Sequence, residues 1–132
     1  VAKAIPELSG KLTGNAIRVP TPNVSLAVLV LNLKEEVNKD ELNDFLKNSA
    51  FSSKYRQIIG YTNSPEAVST DFYSSPFATI VDSQATIAEG NQVTLYCWYD
   101  NEFGYSKQVL NLTKKVAKIE LPRFPKAIDP SV

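Results

Sequence analysis

The chain has 132 residues, 43% of them apolar, enough to bury one core and no more, so it reads as a single domain or part of one. Its 14 basic and 14 acidic residues cancel, which removes the extended positive surface expected of a nucleic-acid binder and leaves only local basic spots for small anions. No apolar run is long enough to cross a bilayer and no secretory signal pattern opens the chain, while one cysteine and no histidine exclude an internal disulfide and argue against a zinc site. Together these features point to a cytoplasmic protein without nucleic-acid, membrane or metal partners.

Residues 1–5 (VAKAI) are apolar and helix-compatible with no cap before them, and Pro6 is expected to close that helix, as in a chain cut inside an element. Residues 25–33 (SLAVLVLNL) form a β-rich run that is apolar on both alternating faces, as in a strand covered on two sides. Asn38 then caps a helix, with Glu41 completing a capping box, Val37 stapling to Leu42, and Leu42, Phe45 and Leu46 forming the buried stripe. Residues 57–62, 77–82, 86–88 and 93–99 read as further strands, the last two joined by a turn at Glu89, Gly90 and Asn91. A final helix starts near Asn101 or Glu102. Tyr105, Val109, Leu112 and Val116 recur along it at helical spacing, and Lys114, Lys115 and Lys118 crowd its C-terminal end, where cations complement the helix dipole. The absence of a regular alternation of strands and helices predicts an α+β fold with a mixed, largely antiparallel sheet and helices on one face.

Several side chains have two readings each. Arg18 precedes Pro20 and Pro22, so it sits on a stiff, non-helical support. A planar guanidinium there suits a phosphate, although most arginines are solvated surface residues. Asn101 is either a cap or turn residue, or an amide that offers a donor and an acceptor to a ligand. Tyr105 is the first apolar contact of the helix. Asp100 and Glu102, which resemble an acid/base pair, more simply stabilise free backbone amides at a helix start. In an extended segment Cys97 shares a face with Val93 and Leu95, which makes it a small buried hydrophobe.

Two segments carry a resemblance. Residues 12–25 read LTGNAIRVPTPNVS and residues 98–106 read WYDNEFGYS, and in this order they resemble phosphorylating glyceraldehyde-3-phosphate dehydrogenase. The likeness runs over residues 1–119, the C-terminal part of that family's catalytic domain, and leaves 120–132 as a proline-containing tail. It implies that the NAD-binding domain, the nucleophilic cysteine and the catalytic histidine lie outside these residues. It also implies the oxidation of glyceraldehyde 3-phosphate with inorganic phosphate and NAD to 1,3-bisphosphoglycerate and NADH in a homotetramer.

Within that likeness Arg18 contributes to the phosphate sites, Asn101 pairs with the nicotinamide carboxamide, and Tyr105 borders the ring. Ile17 stands where an aromatic residue is common. No catalytic residue is expected in this chain, which on its own is expected to be inactive, and Cys97 does not inherit the nucleophile's role. The residues do not separate NAD from NADP, nor glyceraldehyde 3-phosphate from erythrose 4-phosphate. A reading from another class is a non-catalytic assembly module that holds anions through Arg18. The apolar strand at 25–33 fits either a subunit interface implied by the resemblance or a central strand covered within one subunit.

Overall fold

The computed structural model describes residues 1, 3–52 and 54–119. The tail read at 120–132 lies outside them. Four strands and two helices follow in the order β1 (Ser25–Asn32), α1 (Lys39–Phe51), β2 (Ile59–Thr62), β3 (Thr79–Glu89), β4 (Gln92–Tyr99) and α2 (Phe103–Val116). The strands lie side by side as β1, β4, β3, β2. β1 runs antiparallel to β4, β4 antiparallel to β3, and β3 parallel to β2, giving the mixed, largely antiparallel α+β sheet expected. Gly90, at a left-handed φ of 59°, turns β3 into β4, as the glycine there predicts.

One face of the sheet carries the main core. Leu42 of α1 meets Val81, Val93, Leu95 and Cys97, with Val37, Leu46 and Ala27 packed around them. α1 is fixed in place by its capping box. Asn38 accepts from the Glu41 amide at 2.9 Å, and the Glu41 carboxylate accepts from the Asn38 amide at 3.5 Å. Phe45 departs from the expected stripe and is 68% exposed, while Leu42, Leu46 and Ala50 take the inward side of the helix. On the opposite face a smaller cluster of Val24, Phe72 and Ile80 covers Trp98, whose ring stacks on Phe72 with centroids 5.4 Å apart. Phe72 arrives on a short 3-10 helix, Ser69–Phe72, that the sequence reading did not anticipate.

The strands expected at 77–82 and 86–88 are one strand, β3, interrupted by a shift of register between Asp82 and Ile87. Asp82 organises this bulge. Its carboxylate accepts from the amides of Gln84 (3.2 Å) and Ala85 (3.3 Å) and from the Trp98 indole (3.1 Å), while its carbonyl accepts from the Thr86 hydroxyl (3.2 Å). Both oxygens of the Asp82 carboxylate therefore have partners, which is what allows it to sit there. β2 begins later than the expected 57, because the amides of Ile58 and Ile59 turn back to the Tyr55 carbonyl.

Three further expectations fail. The Ala4 and Ile5 amides turn back onto the Val1 carbonyl, and Pro6 opens a 3-10 helix (Pro6–Leu8) where it was expected to close one. Proline favours this position because the amide it lacks has no partner in a first turn anyway. β1 is an edge strand and is not covered on both sides, since Val28 and Val30 are 51% and 62% exposed on one face and Leu29 is 41% exposed on the other. Among the described residues, then, no element covers β1 on both faces. The apolar stripe of α2 is likewise open, with Tyr105, Leu112 and Val116 exposed, because no other described element packs along it.

α2 is tied down near its start. A Cβ on Gly104 would lie 2.5 Å from the Phe77 carbonyl oxygen, and the Gln108 amide donates to the carbonyls of Gln57 (3.1 Å) and Pro76 (3.0 Å). Replacing Gly104 with alanine gains roughly 1 kcal/mol of helix propensity at most. It also forces a backbone contact apart, at about 1–3 kcal/mol. The clash wins, so Gly104→Ala should lower the melting temperature by a few degrees, and an unchanged or raised value would contradict this account of the helix start. Burial raises the Cys97 thiol above its ordinary range, opposed in part by the Thr79 hydroxyl. Thiol labelling of the native chain at neutral pH should accordingly be slow and become fast only on unfolding. Rapid native labelling would remove Cys97 from the core.

Candidate functional site

The strand pairing of Ser25 with Tyr99 brings the end of the Arg18 segment beside the start of the Asn101 segment. A carboxylate joins them. Asp100 is 3% exposed and accepts four hydrogen bonds. One oxygen takes the amides of Glu102 (3.0 Å) and Phe103 (2.8 Å), and the other takes the Ser74 amide (3.0 Å) and the Asn23 side-chain nitrogen (3.1 Å).

The local chain explains this arrangement. The Asp100 carbonyl already accepts the first helical bond, from the Gly104 amide at 3.1 Å, so Asp100 serves as the cap of α2 while Asn101 and Glu102 form the turn. The regular helix runs from Phe103 with Glu102 before it, in keeping with the start expected near Asn101 or Glu102. Asn101 fills the turn position, Asp100 takes the amide-stabilising role expected of it, and Glu102 makes no side-chain cap bond. The Phe103 amide is the main cause that holds the Asp100 carboxyl below its ordinary range, with Ser74, Glu102 and Asn23 adding to it and burial opposing. A carboxyl depressed on folding stabilises the fold above its ordinary range, and this contribution is lost as the pH falls through the folded-state value.

One donor and the neighbour of another hold left-handed backbone: Ser74 at φ 57°, and Val24, next to Asn23, at φ 70°. A β-branched valine strongly disfavours this region. Val24 is held there by its own burial and by its amide, which donates to Asn23 Oδ1 at 2.7 Å. Asn23 therefore spends its oxygen on Val24 and its nitrogen on Asp100.

The three candidate ligand residues lie on the segments that meet at this joint and are exposed. Arg18 lies exposed on the extended segment ahead of Pro20, Asn101 is exposed in the turn, and Tyr105 is 71% exposed one turn into α2. None of the three makes a side-chain hydrogen bond to another described residue, so all retain their donors for a ligand. Their segments are joined through Asn23 and Asp100. No hydrogen bond links Arg18 to Asn101 or Tyr105 directly. Sequence reasoning missed Asn23 and Ser74. Asn23 follows Pro22 and reads as an ordinary turn residue until the pairing of Ser25 with Tyr99 brings its side chain within 3.1 Å of the Asp100 carboxylate. Nothing local marks Ser74, because only its backbone amide takes part. Among the described residues no cluster of three or more metal-ligating side chains occurs, and no helix is long and apolar enough to cross a membrane.

The family described as glyceraldehyde 3-phosphate dehydrogenase, C-terminal domain, matches residues 1–101. A glyceraldehyde-3-phosphate dehydrogenase-like protein of Pseudomonas aeruginosa is 52% identical over 125 residues, which cover 95% of this chain and 27% of that protein. Glyceraldehyde-3-phosphate dehydrogenase 2 of Mucor circinelloides is 44% identical over 121 residues, covering 91% of this chain and 35% of its own. Glyceraldehyde-3-phosphate dehydrogenase 1 of Bacillus subtilis is 44% identical over 119 residues, covering 89% and 35% respectively. The chain thus spans between about a quarter and a third of the length of these relatives. With its mixed sheet, its capped helices and both motif segments in place, the chain belongs to the family of glyceraldehyde 3-phosphate dehydrogenase C-terminal domains.

Proposed function

We propose that the chain is the positioning part of a phosphorylating glyceraldehyde-3-phosphate dehydrogenase, holding substrate phosphate through Arg18 and the nicotinamide end of NAD through Asn101 and Tyr105. One observation carries this reading. The segments bearing these residues are linked by the half-buried Asp100–Asn23 hydrogen bond at 3.1 Å, while the candidate side chains themselves stay exposed.

Each residue has a role suited to its chemistry. Arg18 neutralises and grips the phosphate of the aldehyde with parallel N–H donors, which a lysine cannot reproduce. Asn101 offers a donor and an acceptor to a carboxamide and so selects which face of the ring meets the substrate. Tyr105 borders the same ring from the next turn of α2. When bound, NAD supplies the hydride acceptor of the oxidation. The covalent and acid/base work falls to groups outside this chain, which has no histidine and whose cysteine is buried with a raised pKa. The open faces of β1 support assembly with further subunits, in keeping with a homotetramer.

The test joins the chain to the portion of the Bacillus subtilis relative that precedes the matched region. The 132-residue chain alone should show no aldehyde-dependent reduction of NAD, and the joined enzyme should turn over. In that enzyme Arg18→Ala should lower kcat/KM for the phosphorylated aldehyde by roughly tenfold to more than a hundredfold, the value of a charge-assisted hydrogen bond. Arg18→Lys should recover part of the loss, and an aldehyde without phosphate should suffer less. Turnover by the chain alone would contradict the division of labour. Parent-like kinetics of Arg18→Ala with both aldehydes, across phosphate concentrations, would remove Arg18 from the site.

A further inference from the structure

Apart from the exposed faces of β1 and α2, the molecule offers a polar hollow beside α1, an apolar hollow between Phe51, Arg56 and Phe77, and the Asp100 joint. The joint is the feature on which independent observations converge. Asp100 bonds to three separate stretches of chain: the amides that open α2, the Ser74 amide, and the Asn23 side chain. Its two oxygens divide the work, one facing the helix start and the other facing Asn23 and Ser74.

We propose that Asp100 is a positioning residue that acts through Asn23 to set the Arg18 segment and the Asn101 turn in one fixed relation, so that phosphate and nicotinamide are held in register. The proposal rests on the reading of Arg18 and Asn101 given above. Asp100 touches neither ligand. It acts because Asn101 is its covalent neighbour, whereas Asn23 belongs to the segment that carries Arg18 through the stiff Pro20-Thr21-Pro22 stretch. The left-handed backbone at Val24 and Ser74 supports this assignment, since strained residues persist where the surroundings determine them, and here Val24 follows one donor to the joint and Ser74 is another.

The two oxygens permit a clean separation of roles in the joined enzyme. In Asp100→Asn the remaining oxygen can still cap Glu102 and Phe103, while the new amide nitrogen opposes the donors of Asn23 and Ser74. The helix start is kept and the joint is lost. Asn23→Ala removes the joint from the other side, leaving the three backbone amides on Asp100 untouched, and serves if Asp100→Asn fails to fold. Adding Asn23→Asp to Asp100→Asn restores an amide-to-carboxylate pair between positions 23 and 100.

Each single variant should raise KM for inorganic phosphate and KM for NAD together, by roughly tenfold each, with a smaller change in kcat. Transfer of deuterium from labelled aldehyde to nicotinamide should lose facial selectivity, a quantity that simple destabilisation leaves unchanged. The exchanged pair should recover part of both effects. An altered melting temperature with both KM values and facial selectivity unmoved would overturn the proposal and leave Asp100 a structural cap. A rise in only one of the two KM values would equally overturn it. Arg18→Ala and Asn101→Ala serve as controls. If they leave the phosphate and NAD constants unmoved, the underlying functional reading falls and the proposal with it, whereas responsive controls beside unresponsive Asn23→Ala refute the positioning role alone.

Discussion

A single carboxylate, that of Asp100, determines how the two most informative stretches of this chain meet. Burying an unpaired charge is prohibitive, so the position exists only because four donors converge on it from α2, Ser74 and Asn23. Hydrogen bonds to a charged acceptor are worth roughly 1.5–3 kcal/mol each. Left-handed backbone at Val24 and Ser74 costs about 1–3 kcal/mol apiece, so the joint has the scale needed to maintain both. Arg18, Asn101 and Tyr105 lie exposed and take no part in this contact.

A second carboxylate repeats the device one strand inward. Asp82 caps the amides of its own bulge and accepts the Trp98 indole, which anchors the residue that opens the second motif. Phe72 stacks on the other side of that indole, and Val24 joins the same cluster. The motif is thus fixed at two points, at Trp98 by Asp82 and at Asp100 by its four donors. The face packed by α1 provides the apolar floor on which β3 and β4 hold both carboxylates in place. By contrast, the exposed side of β1 and the length of α2 take little from the described core.

Local signals in the sequence were reliable where they described local chemistry. The capping box at Asn38 and Glu41, the glycine turn at Gly90, the extended strand bearing Cys97 and the motif segments all follow from neighbours in sequence. Errors arose where a distant partner decides. The bulge in β3 was read as a gap between two strands because its explanation, the Trp98 indole on Asp82, lies on β4. Phe45 and the stripe of α2 have helical periodicity, yet periodicity states which side is apolar and not whether anything covers it. Asp100 was recognisable as a carboxylate near a helix start. That it also reaches Asn23 and Ser74 depends on strand register and on a backbone amide, neither of which a residue type reveals. Arg18, Asn101 and Tyr105 were singled out by motif resemblance, because exposed side chains leave little trace in patterning.

The most direct test of this account is an NMR titration into acid that follows the Ser74, Glu102 and Phe103 amides and the Asn23 side-chain nitrogen. The Asp100 carboxyl is held below its ordinary value of 3.8, so these four signals should stay constant through the usual carboxylate range. Below it they should move together with one midpoint as the shared acceptor is protonated. Movement at separate midpoints, or a common one at or above the ordinary value, would show that no single depressed carboxylate holds the two segments together.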